Sequence, residues 1–591
     1  MRPRVLMVIA IAVLASAPIV GAAIAVAGDD WIPTSDDALI ALATRDVGRH
    51  TPTFGVYSRF GFHHPGPALF VTLAPAYRLL GPEGLPIGAA LVASVSLAGA
   101  AWLLWRRGGD VLGLAGTAVL ALLARSLAAE IVDPWNPWIS LLPFALLIVA
   151  AWSVVCGERW ALPVTLGAAS WLVQVHLGYA PMAGALSLVA VGAAVYWARR
   201  RRRDPVRWMG TDAGWRWPAV VALVVVGAAW FWPLAGELAD EPGNLEQIVQ
   251  SFRNPTEEPA GLGKAVGQVA RGTGMASGWL TGVDDIDPFL GELYPAPVWY
   301  LLVPLGASAA AAGLGIARLR RRETGQHHFL LPEALAGQAV VWGTVLVSLV
   351  AVSRIAGPTY HYLLRWQWVL AALIWLTAGW TLYVTFAVGG CGPPPDGPRR
   401  RLLVGVLGAA AIVSSLAMGL AVARVDLPDA VKADAILAVL GPTLDAVADR
   451  GPVLVGFEGS TFGEYHSGLV AALEERGLEV WVPDARALEF GGRRTQQGRT
   501  PGATVVIVTG EGIDARLANG EEPLALYDPL TAEEREQLAP LQARIAQAFE
   551  DAQAGVAISD PLTDDEEAFV RAMNAKGDRI AVFAEPSSAD G

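Results

Sequence analysis

Cysteine is nearly missing from this chain: there are two in 591 residues, Cys156 and Cys391, which excludes a disulfide framework. Charge is scarce as well. Asp, Glu, Lys and Arg make up 17% of the residues, against roughly a quarter in soluble proteins, while 53% are hydrophobic and the mean hydropathy is +0.43. Lysine is reduced to Lys264, Lys432 and Lys576, and arginine carries the positive charge, a pattern of GC-rich genomes. The net charge of −12 comes largely from acids in loops and in the tail. No basic groove interleaved with aromatics is present, so nucleic acid is set aside as a partner. No internal repeat is present either.

What the chain does have is a series of long apolar runs up to about residue 422. A bilayer core takes about 20 apolar residues in a helix. Spans are expected near 5–27, 85–105, 111–127, 138–155, 160–176, 179–197, 217–235, 297–317, 333–353, 365–387 and 402–422, about eleven in all. Arginines cluster at Arg106–Arg107, at Arg199–Arg203 with Arg207, at Arg318–Arg322 and at Arg399–Arg401. The positive-inside rule places all of them in the cytoplasm, together with Arg2 and Arg4, only if the run 66–80 does not cross. That run is short, follows Pro65 and Pro67, and carries Pro75 and Arg78, so it is expected to lie as an interfacial helix on the outer leaflet. The loops 28–84, 128–137, 236–296 and 354–364 then face outward, and Cys156 and Cys391 face inward. Ala25-Val26-Ala27 resembles a signal-peptidase site, but the apolar run is longer than a usual signal core, and a retained anchor is expected.

After about residue 425 the pattern changes to short apolar runs alternating with amphipathic ones. Strands are expected at Pro452–Phe457, Leu478–Val482, Thr504–Thr509 and Arg579–Phe583, and helices at 463–475, 531–552 and 562–575. The expected fold class is an α-helical polytopic membrane domain over 1–424 with a soluble extracytoplasmic α/β domain over 425–591. Gly456, Gly459 and Gly463 sit near a strand-to-helix turn, but their spacing is not the dinucleotide fingerprint.

Ionisable residues crowd into the outer segment 28–84, which holds Asp36, Asp37, Arg59 and the run RFGFHHPGP with His63 and His64. Such groups are costly to hold beside a bilayer and point to chemistry. The run Thr34-Ser35-Asp36-Asp37 also fits a helix start, and the histidines also fit a turn fixed by Pro65-Gly66-Pro67. Further candidates stand in EIVDPWNPW, with Glu130 and Asp133, and in PTYHYLLRWQW, with Tyr360, His361 and Arg365 close after Arg354. Arg365 could equally anchor at the interface beside Trp366 and Trp368. Carboxylates suit divalent ions, but no spacing among these residues demands one.

A first outer loop with paired acids, a following interfacial helix, about eleven spans, arginine-bearing outer loops and a soluble outer tail together resemble the GT-C superfamily of polyprenyl-phosphate-sugar-dependent glycosyltransferases. The likeness covers roughly residues 1–422 and runs toward protein O-mannosyltransferases, aminoarabinose transferases and actinobacterial arabinosyl- and mannosyltransferases. It implies transfer of a sugar from a polyprenyl-phosphate donor to a cell-envelope glycan, lipid or protein, on the outer face of the cytoplasmic membrane, with inversion. The family's catalytic first-loop acid carries over to Asp36 or Asp37, and its second acid to Glu130 or Asp133. A donor of this kind already has a good leaving group. The chemistry therefore needs a base for the acceptor hydroxyl and cations for the departing phosphate. The base would be Asp36 or Asp37. The cradle would come from Arg59, Arg354 and Arg365, helped by His63, His64, Tyr360 and His361. A transporter of lipid-linked sugars is the first alternative; it would hold its ionisable groups in broken helices at the midplane. A non-catalytic envelope-assembly factor is the second.

Overall fold

The computed structural model describes residues 3–585 apart from 29, 204–213, 240–241, 276, 287–290, 321–329, 388–396, 460–463 and 554–561. Arg2, Arg207, Arg322, Cys391 and Gly463 fall outside the described residues. By internal contacts the chain forms two compact units, Met1–Gly28 with Asp46–Asp426, and Asp29–Arg45 with Leu427–Gly591.

The first unit is helical. Among the described residues, nine helical stretches are long and apolar enough to cross a bilayer, and Ala161–Val175 is a shorter apolar helix. One stretch holds two passes. Helix α4, Gly84–Ser126, runs 43 residues, about 65 Å at 1.5 Å per residue, twice the hydrocarbon thickness. It breaks at Gly109, whose φ of 64° is open to glycine at no steric cost. Beyond the break the chain folds back: a Cβ on Gly116 would lie 2.4 Å from Leu104, and one on Gly113 2.8 Å from Trp105. The interior is one apolar cluster drawn from nearly every helix, including Leu14, Leu104, Phe144, Trp368 and Met418. Large apolar side chains such as Leu188, Leu223, Leu238 and Leu346 point outward, which suits surrounding lipid and not water. The protein is an integral membrane protein.

The run expected to stay on the surface forms helix α3, Ala68–Leu80, which contains Pro75 and ends at Gly81. Its 13 residues reach about 20 Å, short of the roughly 30 Å a crossing takes. Before it, the strands β1 (Tyr57–Ser58) and β2 (Phe62–His63) pair as a small hairpin.

The second unit is a five-stranded sheet with helices. Strands β3 (Val453–Glu458), β4 (Val480–Trp481), β5 (Ala503–Thr509), β6 (Ala525–Tyr527) and β7 (Ile580–Glu585) lie in the order β4-β3-β5-β7-β6. The pairs β3–β4 and β3–β5 are parallel, whereas β7 runs antiparallel to both β5 and β6. The four expected strands are present, the second shortened to two residues. Strand β6 and helix α18, Ala430–Val447, were not expected. A larger difference concerns the segment 28–84. Residues 29–45 belong to this second unit and not to the membrane unit. Helix α2, Ser35–Asp46, buries Ala38 and Leu42 in the same core as Ile436, Leu469, Val505 and Val582. Apolar packing between segments almost 400 residues apart leaves no local sign in the sequence.

Candidate active site

In the membrane unit, three ionisable residues from three loops meet at one point. Glu130 lies on the single turn α5, Ala128–Val132; Asp284 lies in the loop after helix α12, Gly261–Thr273; and Arg365 follows the turn α15, His361–Leu364. Helix α12 positions two of them. Its Gln268 donates to the Leu293 carbonyl at 2.6 Å and to the Thr359 hydroxyl at 2.9 Å. Its Arg271 pairs with Asp285 at 2.8 Å, and Lys264 with Glu292 at 3.0 Å, while Glu292 accepts the Thr359 N–H at 2.6 Å. Asp284 and Arg365 are thereby held in register. On the other side, Asp133 accepts the Trp135 N–H at 2.8 Å, which fixes the turn carrying Glu130 into α6, Asn136–Ile139.

Arg365 is 8% exposed. Its Nη1 donates to Asp284 Oδ2 at 3.1 Å, and its Nε lies 3.4 Å from Glu130 Oε1. The guanidinium stacks 4.1 Å from the Trp368 ring and 5.8 Å from that of Trp138. Burial holds the Glu130 carboxyl above the ordinary range, against the opposing pull of Arg365. Asp284 is raised in the same way, again by burial first and against Arg365. Glu130 also lines an apolar cleft with Ala89, Ala93, Leu127, Trp138 and Leu142. A carboxylate with raised proton affinity, a cation and an apolar slot thus share one place. That combination can take a proton and pair with an anion.

The other expected residues are distributed differently. Arg59 reaches from the hairpin to Glu257 at 3.1 Å and to the Ala356 carbonyl at 3.2 Å, with its guanidinium 5.4 Å from the Tyr360 ring. Arg354 is exposed. His361 sets Nδ1 3.3 Å from the Gly291 carbonyl and its ring 5.7 Å from Trp138. His63 is clamped through its main chain, where Asn244 both accepts its N–H and donates to its carbonyl, each at 2.9 Å. His64, expected in the phosphate cradle, faces inward. It is buried, its Nδ1 accepts the Leu177 N–H at 3.1 Å, and its ring sits 5.0 Å from His176. Burial, reinforced by His176 and His63, pushes its imidazole well below the ordinary value. Asp133 is likewise a turn-forming residue in this structure. Among the described residues, no three of His, Cys, Asp and Glu gather as a metal cage.

Asp36 and Asp37 lie in the first turn of α2. Asp37 is 7% exposed, next to Ala38 in the core of the second unit. Ser35, at a φ of 52°, donates to Asp429 Oδ2 at 2.6 Å, and Lys432 lies 2.8 Å from Glu464. Asp36 adds to the raised affinity of the Glu489 carboxyl, whose main cause is burial. Acids in a helix's first turn favour the helix dipole, and this is the helix-start reading of the sequence. Asp36→Asn and Asp37→Asn are each expected to keep turnover within about threefold of wild type and to cost about 0.3–1 kcal/mol of stability in the second unit. Transfer assays with thermal unfolding check this, and a loss of transfer near 10²-fold with unchanged unfolding returns the base to the first loop.

No protein-family model matches the chain, and no curated protein matches it. Among solved structures it is similar to ArnT from Cupriavidus metallidurans bound to undecaprenyl phosphate, at 13% identity over 88% of this chain and 95% of that one, with a TM-score of 0.48. The apo form of the same ArnT gives 12% identity, 87% and 95% coverage, and a TM-score of 0.47.

Proposed function

We propose that the chain is a GT-C-like glycosyltransferase of the cytoplasmic membrane, which takes a sugar from a polyprenyl-phosphate donor with Glu130 as general base. The observation that carries this reading is the buried cluster of Glu130, Arg365 and Asp284. The acceptor oxygen attacks C1 of the sugar, and the C1–O bond to phosphate breaks with its electron pair passing to the phosphate. The acceptor proton goes to Glu130, and configuration inverts. Arg365 donates to Asp284 and pairs with Glu130, and its guanidinium meets the phosphate as its charge grows. In apolar surroundings such a contact is stronger than in water. The arginine distribution supports an N-terminus inside and the residues after about 425 outside.

The test is turnover by the full chain in lipid nanodiscs of a synthetic polyprenyl-phosphate sugar with labelled sugar and phosphate. Formation of polyprenyl phosphate and a new glycoside in equal amounts is the expected outcome. Transbilayer movement of an unchanged donor would replace this reading with a transporter.

A further inference from the structure

An unbroken series of aromatic contacts runs from the Arg59 hairpin to the Glu130 cluster, and the chemistry above does not use it. Tyr360 stacks on Tyr362 with centroids 5.5 Å apart and planes 9° apart. Tyr362 meets Trp135 at 4.8 Å, and Trp135 meets Trp138 at 5.5 Å. The Arg59 guanidinium lies 5.4 Å from Tyr360 at one end, and that of Arg365 lies 5.8 Å from Trp138 at the other. All four rings are half-buried, so each keeps some surface open. Polar groups accompany them: the half-exposed Arg59–Glu257 pair, then His361, then Glu130.

We infer that this series is the acceptor site and that the acceptor is a glycan, bound as several consecutive sugar rings; the inference rests on the glycosyltransferase reading above. A sugar ring has an apolar C–H face and a rim of hydroxyls, which calls for aromatic surface bordered by carboxylate, guanidinium and imidazole. A peptide acceptor would need free backbone edges. Here the backbone beside the rings is already paired: His361 N–H to Gly291, Leu293 N–H to Thr359, Gly357 N–H to Glu258, and Ala260 N–H to Ile355. An acyl chain would gain nothing from charges at both ends of the series. Glu130 lies beside Trp138 at the inner end of the series. The acceptor hydroxyl therefore reaches its base at the inner end of the series, and the rest of the glycan extends outward toward Arg59.

The experiment uses the full chain in nanodiscs with a synthetic donor and three acceptors: a short oligosaccharide, the corresponding monosaccharide, and a Ser/Thr-containing peptide. Wild type should use the oligosaccharide with a KM at least about tenfold below that of the monosaccharide, since each added ring contact is worth up to about a tenfold change. Trp135→Ala and Tyr362→Ala should each raise the oligosaccharide KM by about tenfold, with kcat and donor affinity near wild type, while Tyr362→Phe, which keeps the ring, should leave KM unchanged. Unchanged donor affinity in the alanine variants also reports an intact fold. Transfer to the peptide in preference to the oligosaccharide, or an oligosaccharide KM indifferent to both alanine changes, overturns the glycan site but leaves the glycosyltransferase reading standing. Absence of donor turnover with every acceptor removes both.

Discussion

Glu130→Gln should abolish transfer, with turnover down by on the order of 10²-fold or more and donor binding retained. The substitution keeps the shape of the side chain and a hydrogen-bonding oxygen for Arg365, and removes only the capacity to take a proton. The same residue should shape the pH profile. A base acts when ionised, so turnover falls as pH drops through its pKa. Burial raises that pKa from its ordinary 4.5, despite Arg365. The acid limb of kcat should accordingly lie above the range of an exposed glutamate, and the residual activity of Glu130→Gln should lack it. Stopped turnover assays across pH, normalised to folded protein, measure both effects. Wild-type rates in the variant would remove Glu130 from the reaction.

Arg365→Ala should have the second large effect, and it should have two parts. Removing the guanidinium leaves Glu130 and Asp284 buried without their cation. Breaking a buried pair in this way costs about 3–5 kcal/mol, visible as a lower unfolding temperature. The departing phosphate also loses its donor, and turnover of the protein that remains folded should fall by roughly 10²- to 10³-fold. Arg365→Lys separates the two. A lysine keeps the charge but cannot span both carboxylates and a phosphate with fixed geometry, so stability should recover in part and turnover should stay well below wild type. An arginine that only anchored the helix at the interface would behave oppositely, with Lys near neutral in both measurements. Asp284→Asn is the companion variant, since it tests the pair from the other side.

The membrane half of the fold could be read from the sequence because apolar length is a local property. The runs between residues 5 and 422 were identifiable one by one, and so was the brevity of 66–80, with its prolines and Arg78. The break at Gly109 follows from the same reasoning, since Arg106–Arg107 and Asp110 interrupt two apolar runs. The site was only half legible. Glu130 and Arg365 were candidates by residue type and by loop, but Arg365 is brought to Asp284 by α12, whose Gln268, Arg271 and Lys264 pin two loops distant in the chain. Asp284 was missed although a signal existed: Asp284-Asp285 is a pair of acids in a loop expected to face outward, the same feature that drew notice to Asp36-Asp37. The packing around the pair 36–37 was not legible: its neighbours Ala38 and Leu42 share a core with Ile436 and Leu469, and nothing within residues 28–84 announces that partner.

The most direct test of the account is a density map of the full chain in nanodiscs with a non-hydrolysable polyprenyl-phosphate sugar. The phosphate should lie within hydrogen-bonding distance of the Arg365 guanidinium, and the sugar C1 should face Glu130. Phosphate density bound elsewhere, with the Glu130–Arg365–Asp284 cluster closed and unchanged, would contradict it.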